Sequence, residues 1–347
     1  MNEEMEMSGT GSKVVLLYNL LERLEKGEDK DRVAEAAVTG EIEPVETAIR
    51  SLGHQCFVVS LKDEVYTIFH WLKEIDPDVV FNLCESVYDD TRMEMNIPAL
   101  LDLMYIPYTG SPPLTLGLCQ DKDKVKGILL SHGVRTPRYQ VFHRLIGGMD
   151  EVRLSLPAIV KPVHEDGSLG ITSESVVYEE GGLKRQIRYI LETYRQPALV
   201  EEFIDGREMN VGLLELNGKL EVLPISEIDY SEFPVGMPKI CGYEAKWDPN
   251  SIEFQRSKPV CPAPVDPALR RSLESVAMEV YRLFECRDYA RVDLRVDGEG
   301  RPYVIEVNPN PDISPQSGMA RAIKAYGMTY AQFVQGVLEK ALRRKSK

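Results

Sequence analysis

The chain has 347 residues, 43% of them hydrophobic and 28% charged, with a formal net charge of −14. That length buries a sizeable core and suits two or three lobes. The acidic balance excludes nucleic acid and anionic membranes as partners, since both need basic surfaces. No apolar run is long enough to span a bilayer and no basic-then-apolar leader opens the chain, so a cytoplasmic protein is expected. The six cysteines are scattered without a CxxC pair, which points to reduced, mostly buried thiols rather than zinc or disulfides.

In chain order, Met1–Ser12 is polar and Met-rich and reads as disordered. Lys13–Tyr18 (KVVLLY) is a buried strand, and the charged stretch Glu22–Glu43 reads as a helix or a mobile insertion. Pro44–Leu52 is helical and stops at Gly53. Cys56–Leu61 is a strand, Val65–Glu74 a helix and Asp78–Leu83 a third strand, a rhythm that predicts a parallel α/β domain. No GxGxxG follows the first strand, so a dinucleotide site has no support. Met93–Leu103 is helical in spacing. The Pro- and Gly-rich stretch Ile106–Pro113 then closes the lobe.

Asp121–His132 predicts a helix carrying Lys122, Lys124 and Lys126. Ala158–Ile171 (AIVKPVHEDGSLGI) predicts a strand ending at Lys161 and a loop with Gly167, Ser168 and Gly170, whose backbone N–H groups can wrap phosphate. It is not a P-loop, because G-x-x-x-x-G-K-[ST] is absent. In Leu199–Glu208 (LVEEFIDGRE) an apolar strand runs into acidic residues, with Glu208 and Asn210 on one polar face. Ser226–Ile240 reads as loop, and Tyr243–Trp247 (YEAKW) places Lys246 in a long irregular connection of the kind that covers a site. Asp266-Pro267 starts a helix as N-cap and N1, and Tyr330–Arg344 is a C-terminal helix ending in basic residues.

Between these last helices lies the most informative stretch, Arg291–Asp312 (RVDLRVDGEGRPYVIEVNPNPD). It predicts strands Ala290–Val296 and Pro302–Asn308 around the turn Asp297–Gly300. Alternation turns Ala290, Val292, Leu294 and Val296 to the core, together with Tyr303, Ile305 and Val307. The other face carries Arg291, Asp293, Glu306 and Asn308. A register centred on the turn sets Glu306 opposite Arg291 and diagonal to Asp293. Two carboxylates and an amide oxygen suit Mg²⁺ shared with nucleotide phosphates. A solvated, mixed-charge hairpin face is the plain alternative for the same pattern.

These segments, in this order from about Asp78 onward, resemble the ATP-grasp superfamily and within it the D-alanine–D-alanine ligase branch. The resemblance implies an α/β (α+β ATP-grasp) fold: an N-terminal parallel α/β domain (13–117), a small lobe (118–200) and a large lobe (201–347), the two lobes clasping ATP between them. It implies ATP contacts from Lys122, Lys161, Ser168, Leu169, the hinge residues Glu201, Glu202 and Ile204, Glu208 at the ribose, and Lys246 from a mobile covering loop. Asp293, Glu306 and Asn308 become ligands of Mg²⁺, two ions by the resemblance, with Mn²⁺ an acceptable substitute. Arg291, Lys246 and Ser168 become the catalytic set of a ligase that joins a small-molecule carboxylate to an amine through an acyl phosphate. Related ligases are commonly homodimers, which makes a homodimer the expectation here.

The departures from that family lie on its amino-acid side. YNLLERLEKGEDKD stands where a Gly-rich, Glu-containing segment is usual. Gly167 replaces a serine, Trp247 a tyrosine and Asp312 a glycine, whereas Ser317 still matches the serine that meets the second substrate. FNLCESVYDDTRMEMNIPAL replaces a His- and Gly-rich segment and offers Glu85, Asp89, Asp90 and Arg92 as new substrate contacts. The expectation is a ligase for an amino acid or similar acid other than two D-alanines. A genuine D-alanine–D-alanine ligase, a nucleotide-binding module without ligase activity, and a carboxylase or kinase on the same fold are the alternatives.

Overall fold

The computed structural model describes residues 11–20, 24, 26–35, 39–61, 65–148 and 151–344. Residues 1–10 of the polar leader, and 21–23, 25 and 36–38 of the charged stretch, lie outside the described residues. Strands β1 (Lys13–Asn19), β2 (Gln55–Leu61) and β3 (Val79–Leu83) form a parallel sheet in the order β2-β1-β3. The two-residue period of β1 splits its side chains between two cores. Val14 and Leu16 face α2 (Thr39–Ser51), and Val15 and Leu17 face α3 (Val65–Ile75) and α4 (Asn96–Leu103). The charged stretch thus contains the start of α2, a short helix α1 (Arg32–Glu35) and a 3₁₀ turn at Asp29–Asp31.

Helices α5 (Pro113–Cys119) and α6 (Lys122–Ser131) follow, and Asp121 caps α6 by accepting the Lys124 N–H at 3.1 Å. Strands β4 (Tyr139–Phe142), β5 (Ala158–Pro162), β6 (Val176–Val177) and β7 (Ala198–Glu202) make an antiparallel sheet in the order β4-β7-β5-β6. It packs on α7 (Glu180–Tyr189) and the π turn Ile190–Tyr194.

The third sheet holds β8 (Arg207–Leu216), β9 (Lys219–Val222), β10 (Ser226–Asp229), β11 (Lys258–Val260), β12 (Tyr289–Val296) and β13 (Pro302–Asn308). Its order is β11-β10-β8-β12-β13, with β9 beside β8. Two sequence expectations change here: Ser226–Asp229 is a strand rather than loop, and the covering segment Tyr243–Trp247 is a short helix, α8, followed by α9 (Ile252–Arg256). Helix α10 (Pro267–Leu283) starts as predicted, Asp266 accepting the N–H groups of Ala268 and Leu269 at 2.8 and 3.0 Å. It packs under the sheet with Val125 and Leu129 of α6. Helices α11 (Gly318–Tyr326) and α12 (Tyr330–Arg343) close the chain, α12 packing on α2 and so joining the last helix to the first domain.

The hairpin β12–β13 has the predicted ends on its second strand but another register. Arg291 faces Asn308 and Asp293 faces Glu306, and then Leu294 faces Val304, so that Ile305 is the extra residue of a β-bulge. The bulge shifts the phase of the inward side chains. Val304 and Val307 are buried in the core, and Tyr303 and Ile305, expected there, are only half-buried. Among the described residues all six cysteines are free thiols, and no helix is long and apolar enough to cross a membrane.

Candidate active site

The new register brings the two candidate metal ligands closer, because Asp293 and Glu306 stand directly opposite one another. Arg291 grips Asp293 with two parallel bonds, Nε to Oδ1 at 2.8 Å and Nη2 to Oδ2 at 2.9 Å. Asn210 of β8 donates to Asp293 Oδ1 at 2.7 Å, and Asn308 donates its amide to Oδ2 at 3.1 Å. With its Nδ2 spent in this way, Asn308 has its carbonyl oxygen as the remaining donor for a metal. Glu306 is half-buried, which raises its pKa, but Lys122, Lys246 and Lys161 overcome that and hold it down to about 2. A carboxylate kept ionised by three ammonium groups, opposite a second carboxylate and beside an amide, is a hard-oxygen set of the kind Mg²⁺ takes when it is shared with phosphates. Among the described residues no group of three His, Cys, Asp or Glu side chains is arranged to hold a metal ion.

The lysines come from separate elements. Lys122, at the first turn of α6, lies 2.9 Å from Glu306 and donates to the Glu165 carbonyl. Lys161 on β5 lies 2.7 Å from Glu201 of β7, and Lys126, one turn beyond Lys122, ion-pairs with the other oxygen of Glu201 and donates to Thr136 at 2.7 Å. Burial pushes the Glu201 carboxyl up, yet Lys126 and Lys161 bring it below its ordinary value. Burial lowers the Lys126 ammonium in spite of Glu201. Lys126 was given no role from the sequence; the i, i+4 spacing from Lys122 was the signal that both share a face.

The loop after β5 is wound tightly, with Gly167, Ser168 and Gly170 at φ of 61°, 65° and 71°. A left-handed serine is strained, and such strain gathers at functional sites. The Ser168 hydroxyl donates to the Cys241 carbonyl at 2.8 Å, and Trp247 Nε1 donates to the Gly167 carbonyl at 2.8 Å. Tyr243 N–H reaches the Ile171 carbonyl at 2.6 Å. Helix α8 thus lies over the loop, with Lys246 facing Glu306. Leu169 is buried in the small-lobe core.

The hinge shows a residue that sequence reasoning missed. Arg295 holds the carbonyls of Ile204, Gly206 and Lys239 at 3.0, 3.1 and 2.7 Å, and pairs with Glu208 at 3.0 Å. Glu208, expected at a ribose, also accepts the Tyr230 hydroxyl at 2.9 Å, so one of its oxygens is committed within the protein. Glu202 pairs with Arg138 at 3.3 Å near the surface.

At the far end of the hairpin, Asp312 accepts the Ser314 N–H at 2.7 Å. Its carboxyl raises the pKa of Glu41, which is buried in the first turn of α2 and accepts the Ile313 N–H at 2.8 Å. Burial, then Glu85, then Asp312 push the Glu41 carboxyl well above its ordinary range. Glu41 was not foreseen; 271 positions separate it from Asp312, and no local pattern marks it. Ser317 caps α11 by accepting the Ala320 N–H at 3.1 Å. Asp90 and Arg92, expected to meet substrate, instead pair with each other at 2.8 and 3.0 Å beside the tight turn Val87–Asp90. Glu94 is buried, receives amide donors from Gln120 and Asn310 at 3.0 and 3.1 Å, and is pushed up by burial to about 8.

Residues 132–339 match the family described as D-ala D-ala ligase C-terminus. The chain is 34% identical over 305 residues to the uncharacterized protein y4sG of Sinorhizobium fredii, covering 86% of this chain and 87% of that one. It is 30% identical over 296 residues to the D-alanine–D-alanine ligase of Aquifex aeolicus, covering 85% and 92%. The D-alanine–D-alanine ligase of Bacillus anthracis, solved in complex with ATP, superposes with a TM-score of 0.73 at 21% identity over 97% of this chain and 99% of that one. The chain therefore belongs to the D-alanine–D-alanine ligase family of ATP-grasp enzymes, ATP-dependent ligases that form C–N bonds.

Proposed function

We propose that this enzyme joins an amino acid or amino-acid-like acid to an amine, the pair being other than two D-alanines, using Mg²⁺·ATP and an acyl phosphate. The observation that carries the substrate half is the Glu41–Asp312 carboxyl pair at the acyl end of the metal hairpin. It adds acidic groups beside Arg291, where a small, neutral pocket would suit a D-alanine carboxylate better.

In this reading Lys122, Lys161, Lys246 and the backbone of residues 167–170 receive the triphosphate, and the hinge 201–204 receives the base. Asp293, Glu306 and Asn308 would hold Mg²⁺, which when bound neutralises charge on the transferring phosphoryl group. A substrate carboxylate oxygen forms a bond to the γ-phosphorus as the bridging P–O bond to ADP breaks. The amine then attacks the acyl carbon and loses a proton, and the C–O bond to phosphate breaks. Arg291 lies between Asp293 and Asp312 and supplies positive charge for the oxyanion, an effect worth about 3–4 kcal/mol for one donor in comparable sites. The covering helix excludes the water that would hydrolyse the acyl phosphate.

The test is a mixed panel of acids and amines with Mg²⁺ and ATP, read by ADP release and product mass. An amide other than D-alanyl-D-alanine is expected. A second reading, a genuine D-alanine–D-alanine ligase, is favoured by the relative from Aquifex aeolicus that bears that name over 85% of this chain. Efficient turnover of D-alanine alone would establish it and overturn the first.

A further inference from the structure

The charged segment before α2 does not lie free. Gly27 N–H donates to the Thr193 carbonyl at 3.1 Å, Tyr189 donates its hydroxyl to Glu28 at 3.1 Å, and Tyr194 donates to Asp31 at 2.9 Å. These bonds fasten residues 27–31 to the back of the small lobe. On its other side the Lys30 carbonyl accepts the Tyr243 hydroxyl, and the Lys30 ammonium sits 4.9 Å above the Tyr243 ring and 3.8 Å from Glu244. Lys26 ion-pairs with Glu165 at the start of the phosphate loop. Tyr194 also backs that loop: a Cβ on Gly170 would come within 2.9 Å of its ring.

The segment is internally stiff. Asp31 accepts the Glu28 N–H at 2.8 Å and returns its own N–H to the Glu28 carbonyl at 2.9 Å, closing a capped 3₁₀ turn. Gly27 is required at φ 81°, where a Cβ would meet Asp31 Oδ2 at 2.5 Å. A five-residue helix such as α8 has too few internal bonds to hold itself in place. Its position depends on what grips it.

We propose that residues 26–31 are a strap by which the N-terminal domain positions the phosphate loop and α8 over the nucleotide, with Asp31 and Lys30 as positioning residues. The proposal rests on the reading that these two elements cover the ATP phosphates. Because nucleotide leaves only when the cover parts from the loop, the strap lengthens the time that nucleotide stays bound.

The test uses the full chain, a fluorescent ATP analogue with Mg²⁺, and two variants that alter no residue assigned to the nucleotide: Gly27→Ala, and the double hydroxyl deletion Tyr189→Phe/Tyr194→Phe, which keeps both rings in place behind the loop. Release measured by stopped flow should quicken about tenfold, the yield of roughly one net hydrogen bond to a charged acceptor. Hydrogen exchange should rise at residues 165–171 and 241–247 and stay at wild-type level in β5 and β7. Should Gly27→Ala fail to fold, the Tyr→Phe pair decides. Wild-type release and exchange in the folded variants overturn the strap alone. Failure of the wild-type enzyme to bind the analogue overturns both the strap and the ATP reading beneath it.

Discussion

Replacing Glu201 by glutamine is the most informative single change in the protein. The carboxylate is 1% exposed and serves two ammonium groups, Lys161 at 2.7 Å and Lys126. Glutamine keeps the volume and removes the charge, leaving two buried cations facing a neutral amide. Breaking a buried pair from one side costs about 3–5 kcal/mol. Here that is a large share of the roughly 5–15 kcal/mol that holds a domain folded. Lys126→Met should cost clearly less, about 1–2 kcal/mol, because Glu201 keeps Lys161 and the thioether fills the vacated stem volume. The order of the two effects is therefore set by charge count, not by volume. Urea unfolding, with hydrogen exchange in β5 and β7 to isolate the small lobe, measures both. If Lys126→Met proves as damaging as Glu201→Gln, the trio is held by packing and the electrostatic account fails. The sign with pH is fixed as well. Glu201 is lowered in the folded chain, so its contribution is complete above the unfolded carboxylate value and fades as pH falls through the folded one.

Glu306→Gln should abolish turnover with the fold intact, since the shape is kept and one metal charge is lost; an undiminished rate would remove Glu306 from the metal set. Because Glu306 is held down to about 2, its stabilising contribution should be lost progressively between about pH 4.3 and pH 2; the acid-unfolding curve of Glu306→Gln should be flatter than wild type across that window, and superimposable curves would refute the shift. Glu41→Gln/Asp312→Gly removes the carboxyl pair, and should raise activity with D-alanine at least about tenfold relative to the native amine, a change of about 1.4 kcal/mol in specificity. Unchanged selectivity in the panel would show that the pair does not face substrate.

Much of the proposed nucleotide side is locally written, and the elements that carry it were legible for that reason. Lys161 ends an apolar strand, Asp121 caps the helix of Lys122, and the hairpin announces itself by alternation and turn residues. What stayed hidden depends on distance or on phase. The bulge at Ile305 breaks a two-residue period that sequence reasoning had to assume unbroken, which sent Tyr303 and Ile305 inward; the register that set Glu306 opposite Arg291 was also off beside the turn, where Val296 pairs with Pro302. Glu41 reaches Asp312 only because α12 packs α2 against the large lobe. Arg295 alternates into a buried ion pair on the same strand as Asp293, and no local pattern marks it. The strap was legible as a charge run and illegible as a contact, since its tyrosine partners lie 161, 163 and 213 positions away.

The bulge at Ile305 also separates two jobs that one strand would otherwise do in lockstep. In an unbroken β13, Val304 and Glu306 would share a face, and any slip in the hairpin would send the glutamate inward or the valine outward. With the extra residue between them, the stretch Pro302–Val304 keeps step with the core while Glu306–Asn308 keeps step with Asp293 and Arg291. The bulge is a phase joint. Lengthening or shortening the turn at Asp297–Gly300 strains the outer half of the hairpin first, and the ligand half retains its register from β12 and β8. The chemistry of this strand is insulated from drift in the loop that makes it.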